Sequence, residues 1–240
     1  MYLENKILDK EIDLINACKN ENEEVIKQLI NDGADVNMTN GSGDTPLTIS
    51  CEKENLNIIK YLIENGAKTD INNSMGTSSL NLLCKIKSEK SLEIVNYFIE
   101  EKKINIDYKD KNGNTPLLMA SYFRDNKVME KLIENRANIN IQNNFGDTSL
   151  IISSYFKNKK ITQKLVNEGA NMDIQNIYGD TFFTISQKNL NKKNNINNSK
   201  EKSNKKEKIN FESKKSFLEE LLNNDNDDDY YGKYLIINLK

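Results

Sequence analysis

The stretch GSGDTPLTISC, residues 41–51, is the first clear copy of a pattern that returns four times along the chain. The short segments DTPL, TSSL, NTPL, DTSL and DTFF follow Gly43, Gly76, Gly113, Gly146 and Gly179, respectively. The steps between these glycines are 33, 37, 33 and 33 residues. A fixed period of this length predicts a stack of repeated supersecondary units.

Each repeat contains the signals for a turn and two short helices. Thr45 is suited to cap a helix, and Pro46 fits the first helical position because its missing N–H costs nothing there. A second apolar pattern with helical spacing, IIKYLI at 58–63, ends at Asn65-Gly66, where glycine can close the helix. The same second-helix frame returns as VIKQLINDGADVN, IVNYFIEEKKINID, VMEKLIENRANIN and ITQKLVNEGANMD at 25–37, 94–107, 128–140 and 161–173.

The combination of TPLxxS, a helix pair and LIxxGAxxN at this period resembles the ankyrin repeat, whose usual signature is TPLHxA followed by GADVN. The resemblance covers roughly residues 10–190 and implies an all-α solenoid of stacked helix-turn-helix units joined by β-turn or hairpin loops. We place the array at 8–187. Its repeats lie near 8–40, 41–73, 74–110, 111–143 and 144–176, and a sixth opens at 177.

Several positions depart from the family pattern. The chain contains no histidine, and the usual histidine of the signature is replaced by Thr48, Asn81, Leu118, Ile151 and Thr184. A hydrogen-bond network between neighbouring repeats is therefore expected to be lost or rebuilt. Arg136 replaces the helix-ending glycine of the fourth repeat, and the third repeat carries four extra residues near Lys102-Lys103. Because left-handed backbone costs a non-glycine residue about 1–2 kcal/mol, repeats three and four should be looser.

The three cysteines, Cys18, Cys51 and Cys84, are each 33 residues apart and so occupy one position of successive repeats. Helices in such a stack lie about 8–10 Å apart, whereas a disulfide needs Cα atoms within roughly 7 Å. Three thiols on different repeats, without histidine, also make a poor zinc site. The column predicts core packing and neither a disulfide nor a metal site.

Composition and motifs argue against catalysis. The net charge of -2 gives no overall attraction to nucleic acid, and the absence of histidine removes Ser-His and Cys-His pairs. Neither a GxxxxGK[ST] phosphate loop nor a GxGxxG fingerprint is present. We therefore expect no enzyme activity, no cofactor and no small-molecule substrate. No apolar run suits a membrane helix or a signal peptide, which predicts an intracellular protein of the cytoplasm or nucleus.

Two variable columns carry the candidate binding residues. At the end of the first helix, aromatic pairs fall at Tyr122-Phe123 and Tyr155-Phe156. Before the repeat glycine, apolar side chains fall at Met75, Phe145 and Tyr178. Exposed aromatic groups are typical interface hot spots, but the pairs could instead fill space beside small residues of neighbouring first helices. Both readings, binding and packing, stay open from the sequence.

The resemblance also implies a modification. In some ankyrin repeats the last asparagine of such a segment is hydroxylated by a 2-oxoglutarate-dependent oxygenase, which makes Asn37 and Asn140 candidate substrate positions. The alternative is that these asparagines only bond the backbone of the turn.

The C-terminal quarter breaks the repeat pattern. Residues 188–210 are rich in lysine and asparagine and predict a disordered insertion. Residues 211–240 follow, and FLEELLNND at 217–225 is predicted as the displaced second helix of the sixth repeat, with a capping segment after it. The lysine-rich run could also contact nucleic acid, although it lacks aromatic residues for base stacking.

The sequence thus favours a monomeric, non-catalytic scaffold that binds another protein on the concave face and turn tips of its repeats. Two alternatives remain: a regulatory or targeting subunit that holds a partner enzyme, and a nucleic-acid-associated factor that acts through the lysine-rich run.

Overall fold

The computed structural model describes residues 13–74, 76–102 and 104–194, and the chain divides into two compact units, one up to Asn144 and one from Phe145 onward. No strand occurs among the described residues. The first unit contains α1 (described over 13–19), α2 (Glu23–Asn31), α3 (Pro46–Glu52), α4 (Leu56–Glu64), α5 (Ser79–Ile86), α6 (Glu89–Asn96), α7 (Pro116–Phe123) and α8 (Asn126–Glu134). The second unit contains α9 (Ser149–Tyr155), α10 (Lys159–Asn167) and α11 (Phe182–Asn194).

The repeat motif fixes where each first helix begins. Pro46 follows Gly43 by three residues, and every later first helix starts at the same distance from its glycine. A hydroxyl caps each of these helices by accepting the backbone N–H three residues on, which satisfies one of the donors that a helix start leaves open. The capping residues are Thr45, Ser78, Thr115, Thr148 and Thr181.

A left-handed residue joins the first helix to the second in each of the five repeats whose two helices are described. Its φ lies between 54° and 57° at Glu21, Glu54, Lys87, Arg124 and Lys157. In four of the five repeats the following N–H reaches back to a carbonyl in the helix, as when Asn55 donates to Ser50 O at 3.2 Å. These bonds close the helix in the manner of a Schellman motif and offset the strain of the left-handed residue. The absence of glycine at this position hides the turn in the sequence.

The core is built mainly from the first helices, whose side chains are buried on nearly every face. All residues from Pro116 to Ser121 are buried in α7, and all from Ser149 to Ser154 in α9. In the first compact unit α3 packs on α5 and α5 on α7, and each also packs on the second helix of its own repeat. The second helices bury one stripe, such as Ile58, Ile59 and Leu62 of α4. The predicted two helices per repeat are confirmed for the first five repeats.

The extra residues of the third repeat lengthen its second helix. A π-helical segment, Tyr97–Glu101, continues α6, so helix and continuation together exceed the 9 residues of α4 by four. The insertion is close to one helical turn, and the wider π geometry absorbs it while Tyr97 and Phe98 stay buried. The ammonium groups of Lys60 and Lys102 lie 5.1 and 5.3 Å from the centre of the Tyr97 ring.

The last described helix extends beyond its predicted end. α11 continues to Asn194, so residues 188–194 are helical where the sequence predicted the start of a disordered insertion. Near that point Lys188 binds Asp180, and Asn189 donates to Ser154 O at 2.9 Å, which fastens the helix to its own compact unit. The rest of the predicted insertion, to residue 210, and the predicted segment 211–240 lie outside the described residues.

Candidate functional site

The turn before each first helix is shaped by an Asn or Asp and a glycine. In the first complete turn, Asn40 accepts the backbone N–H groups of Ser42 and Asp44 on its side-chain oxygen at 2.8 and 2.9 Å. Gly43 donates to Asn40 O at 2.8 Å and has a φ of +76°, which glycine adopts without strain. Asp110 and Asn176 repeat this arrangement. The turn therefore holds the residue before the glycine at an outward tip.

The tips carry several of the candidate residues. Phe145 is 47% exposed and Tyr178 is 72% exposed, so both side chains lie on the surface of the second compact unit. Ile177, which the sequence reading missed, is 63% exposed beside Tyr178. It lies two residues before the glycine, one position outside the column that the sequence predicts for binding. Met75, the remaining tip candidate, lies outside the described residues.

Tyr122 and Phe123 end α7 and differ in their surroundings. Phe123 is 45% exposed, whereas Tyr122 is half-buried and its hydroxyl accepts a hydrogen bond from Asn143 Nδ2 at 3.0 Å. Asn143 Nδ2 also donates to Asn114 Oδ1 at 3.0 Å. One asparagine thus ties the aromatic end of α7 to two turns of the first compact unit.

The same network recurs in the second compact unit. The hydroxyl of Tyr155 accepts from Asn176 Nδ2 at 3.3 Å, and Asn176 Nδ2 also donates to Asp147 Oδ1 at 2.9 Å. Here the phenol has a further role, because it donates to Asp180 Oδ2 at 2.8 Å. Tyr155 and its neighbour Phe156 remain 43% and 41% exposed. Hydrogen bonds hold the phenol oxygen, while much of each ring faces solvent.

These contacts bear on the open choice between binding and packing. The phenylalanines of both pairs are surface residues, and the tyrosines are anchored at the hydroxyl without being buried. Asn143, Asn176 and Asp180 complete the arrangement, although the sequence reading did not single them out. Their signal was the Asn or Asp that starts each turn, together with the Asp that follows the glycine. That any of these residues contacts a partner stays a prediction.

Charge near Tyr155 is set by Asp180. Burial alone would raise the pKa of this carboxyl, but the hydrogen bonds from Lys188 at 2.6 Å and from Tyr155 outweigh it and lower the pKa. The pKa of Tyr155 is raised, first by burial and then by its hydrogen bond to Asp180. The pair therefore keeps a neutral phenol next to a carboxylate at neutral pH.

A family model described as ankyrin repeats (3 copies) matches residues 14–107 and 80–176, which together span more than half of the chain. The chain belongs to the ankyrin repeat family. Ankyrin repeats are all-α repeat solenoids that serve in general as protein–protein interaction modules, and the family is typically non-catalytic. No curated protein matches the chain. Among the described residues, no helix is long and apolar enough to cross a membrane.

The histidine column of the ankyrin signature is rebuilt in three ways. Thr48 and Thr184 each accept the backbone N–H of their own helix cap, at 2.7 and 2.8 Å. Fully buried Asn81 instead donates to Asn114 O of the next repeat at 2.9 Å. Leu118 and Ile151 have apolar side chains, and both are buried. The expected inter-repeat hydrogen bond is therefore present at Asn81 and replaced by packing or local capping elsewhere.

The two candidate hydroxylation positions of the ankyrin array lie at loop positions. Asn37 Nδ2 donates to Gly66 O at 2.9 Å, and its Oδ1 accepts from Lys68 N at 2.7 Å, so the side chain bridges to the next repeat. Asn140 is exposed, and its backbone N–H donates to Asn138 Oδ1 at 3.1 Å. These contacts of Asn37 are hydrogen bonds to backbone atoms, which is what the alternative to hydroxylation predicts. Hydroxylation at either position remains a prediction.

The cysteine column lies in the core. Cys18, Cys51 and Cys84 are free and buried. Burial raises the pKa of the Cys18 thiol to about 11 and raises those of Cys51 and Cys84 as well. Thiols of this kind are poor nucleophiles and poor ligands because the thiolate is disfavoured. Within the described ranges, no group of three or more Cys, Asp or Glu residues is placed to hold a metal ion.

Proposed function

We propose that this ankyrin repeat chain is a non-catalytic scaffold whose protein partner contacts the turn tips and the ends of the first helices. One observation carries the proposal. Of the seven exposed large apolar side chains in the described part of the chain, six occupy these two positions, and Val25 on α2 is the exception. The six are Phe123, Phe145, Tyr155, Phe156, Ile177 and Tyr178.

The fold does not require apolar side chains at these six positions. The column before the repeat glycine also holds Ser42 and Asn112, and the end of α3 holds Glu52 and Lys53, so polar residues satisfy the same positions of the fold. Aromatic side chains offer large rigid area with few torsions to freeze, which is why they dominate binding energy at interfaces. Aromatic residues at replaceable surface positions support a binding role.

The hydrogen bonds of Tyr155 would reduce the cost of binding. Its phenol oxygen is held by Asn176 and Asp180, so the ring is positioned before any partner arrives. Ordering a side chain at an interface costs about 0.5–1.5 kcal/mol, and a preorganised ring avoids part of that cost. Tyr122 is held in the same way by Asn143 in the first compact unit.

We propose that the protein binds its partner inside the cell. The three described thiols are unpaired, which fits a reducing compartment. The lysine-rich run that motivated the nucleic-acid alternative lies mostly outside the described residues, so no contact supports that alternative here. The partner is therefore sought among intracellular proteins.

Site-specific photo-crosslinking in the native cells tests the proposal. A benzoylphenylalanine at Phe156 or Phe145 should capture the partner, and the same group at Val25 should not. The triple variant Phe145→Ser, Phe156→Ser, Tyr178→Ser should then lose the partner in a pull-down, while Val25→Ser keeps it. Tyr122 and Tyr155 are left unchanged because their hydroxyls hold the turns.

Circular dichroism confirms that both variants are folded before the pull-down is read. If the folded triple variant retains the partner, or if the partner is crosslinked equally well from Val25, the tips and helix ends are not the binding surface.

A further inference from the structure

The junction between the first and the second helix carries opposite charge in the first and the fifth repeat. It reads ENEE at 21–24 in the first repeat and KNKK at 157–160 in the fifth. The asparagine of each stretch caps the second helix, with its side-chain oxygen 3.2 and 3.5 Å from the backbone nitrogen three residues on. The first residue of each stretch is left-handed, with a φ of 54° and 55°. The fold therefore accepts either sign of charge at this junction.

The lysines of the fifth repeat stand where they do not stabilise the fold. Lys159 and Lys160 are the first two residues of α10, whose first turn contains no acidic residue. A helix N-terminus carries a partial positive charge, so acidic side chains stabilise it and lysines weaken it. Glu23 and Glu24 hold the same two positions in α2 and have the stabilising sign. The lysines of α10 therefore need an explanation other than helix stability.

These lysines adjoin the aromatic end of α9. Lys157 follows Phe156 directly. A further ammonium group lies close by, because Lys188 donates to one oxygen of Asp180 and the hydroxyl of Tyr155 donates to the other. The side chain of Lys188 is 64% exposed and that of Asp180 only 16%, so the charge presented to solvent is positive. We call the basic aromatic end the five exposed residues found here, Tyr155, Phe156, Lys157, Lys159 and Lys188.

Net charge also separates the second compact unit from the first. Residues 145–194 contain seven lysines and four carboxylates, a net charge of +3. Residues 13–144 contain 16 basic and 20 acidic side chains, a net charge of −4. Because salt screens charges beyond about 8 Å in the cell, a partner at the basic aromatic end responds to the lysines around it and not to the charge of the whole chain. The local sign fits an anionic partner.

We propose that the partner presents an acidic protein segment to the basic aromatic end. Its apolar side chains pack on Tyr155 and Phe156, and its carboxylates pair with Lys157, Lys159 and Lys188. This inference rests on the proposed function, in which a protein contacts the ends of the first helices. An exposed lysine–carboxylate pair changes affinity by only about 1.5- to 5-fold. The rings therefore supply most of the affinity, while the lysines select the sign of the partner's charge and speed its association.

A strand of nucleic acid, the other anionic macromolecule, fits this surface less well. Such a strand carries a charge at each nucleotide and is held by a basic groove that follows its backbone. Here the lysines are grouped around the end of one helix, and residues 13–144 have an excess of carboxylates. Residues 145–194 also contain no arginine, the side chain that binds phosphate with two parallel hydrogen bonds. A short acidic segment matches the extent of the basic area.

Selection from a random peptide library displayed on phage, with the full chain as the target, tests the proposal. The charge variant Lys157→Glu, Lys159→Glu copies the residues of the first repeat at the same positions. The swap variant adds Glu21→Lys and Glu23→Lys, which restores the net charge of the wild type and separates position from overall charge. Circular dichroism and thermal melting confirm that both variants are folded. We expect the charge variant to melt no lower than the wild type, because glutamate suits the start of α10.

We expect the selected peptides to be negatively charged and to contain at least one large apolar side chain. Each peptide, labelled with fluorescein, should bind both variants about tenfold or more weakly than the wild type, because two attractive pairs become repulsive. Raising the salt concentration from about 0.1 M to about 1 M should remove most of that difference. Neutral or basic peptides, peptides that bind the swap variant as tightly as the wild type, or a selection without binders would overturn the proposal.

Two further probes separate this inference from the proposed function and from nucleic-acid binding. The triple variant Phe145→Ser, Phe156→Ser, Tyr178→Ser reports on the proposed function. Neutral peptides that are lost in the triple variant and kept in the swap variant would overturn the acidic segment and leave the proposed function standing. Acidic peptides lost in both variants support both proposals. A labelled oligothymidylate that binds the wild type more tightly than the selected peptides, and is lost in the swap variant, would overturn the inference in favour of nucleic acid.

Discussion

Asn143 donates from Nδ2 to the hydroxyl of Tyr122 at 3.0 Å, and Asn176 makes the same contact with Tyr155 at 3.3 Å. The two pairs lie 33 residues apart, one in each compact unit. Each pair joins the aromatic end of a first helix to the asparagine at the base of the next turn. We call this Tyr–Asn hydrogen bond the polar clamp. Its tyrosine occupies the helix position where α3 carries Glu52.

Removing the clamp should cost stability without removing the ring. Tyr122→Phe takes away the acceptor of Asn143 Nδ2, which keeps its bond to Asn114 Oδ1. We expect the free energy of unfolding to fall by about 0.5–1.5 kcal/mol, the usual worth of one hydrogen bond. Urea denaturation measures it, with Tyr178→Phe on a 72% exposed side chain as the control. Equal effects of the two substitutions would mean that the clamp contributes nothing.

Acid should weaken the second compact unit through Asp180. Lys188 and Tyr155 lower the pKa of this carboxyl below its usual value despite its burial. A lowered pKa contributes stability that is full above the unfolded value of about 3.9 and is lost as pH falls through the folded value. Asp180→Asn should therefore flatten the dependence of unfolding free energy on pH below about pH 4.

A second variant checks that the ion pair of Asp180 causes this dependence of stability on pH. Lys188→Met removes the strongest partner of Asp180 and should flatten the acid limb in the same direction. If wild type and Asp180→Asn lose stability in parallel as pH falls, other carboxyls are responsible for acid unfolding.

The fold followed from the sequence because the strongest local signals coincide with what packing requires. Thr45-Pro46 caps and starts a helix, and Gly43 supplies both a positive φ and room for the next turn, so a period in these residues fixes the architecture. The left-handed turn at Glu54 could not be predicted from the sequence, because it is defined by backbone hydrogen bonds that many residue types can form.

Less of the candidate site could be predicted from the sequence. Periodicity found the columns of Phe123 and Phe145, but it could not separate exposure from packing, since both positions border a helix end or a turn. Asn143 bonds a residue 21 positions earlier, and no local pattern marks such a contact. Asp180 becomes a partner of Tyr155 only once the turn brings them together.

Buried thiols predict a chemical difference between folded and unfolded chain. Because burial raises the pKa of all three cysteines, iodoacetamide at pH 8 should leave the native protein unmodified over the time in which an unfolded chain gains three adducts. Intact-mass spectrometry counts the adducts. A native Cys84 that reacts as fast as a free thiol would contradict its place in the core.

The hydrogen bond of Asn81 predicts a pH-sensitive variant. Asn81→Asp keeps the shape but, when ionised, sets a buried carboxylate against Asn114 O in place of a donor. We expect a loss of about 3 kcal/mol or more at pH 7, because an unpaired buried charge is strongly unfavourable. The loss should shrink toward pH 4, where the carboxyl regains a proton. Asn81→Leu, which copies Leu118, should cost only about 1 kcal/mol and show no such pH dependence.

Arg136 has a φ of +65° at the end of α8, where the second and fifth repeats use Gly66 and Gly169. The closing bonds are otherwise alike, since Arg136 N donates to Ile133 O at 2.9 Å and Gly66 N to Ile63 O at 3.1 Å. Arg136→Gly should therefore raise the free energy of unfolding by up to about 1 kcal/mol, because left-handed strain is relieved while some chain entropy is lost. Gly66→Ala is the reciprocal change and should lower it by about 1 kcal/mol, as its added Cβ meets nothing within 4 Å and only strain remains.

Amide hydrogen exchange locates the effect of Arg136. The N–H of Ala137 donates to Leu132 O, and that of Ala67 to Leu62 O, so the two amides report on the same joint in different repeats. We expect Ala137 to exchange faster than Ala67 in the wild type and to approach it in Arg136→Gly. Equal protection of the two amides in the wild type would show that the fourth repeat is no looser than the second, because the strain at Arg136 would then be balanced by packing around it.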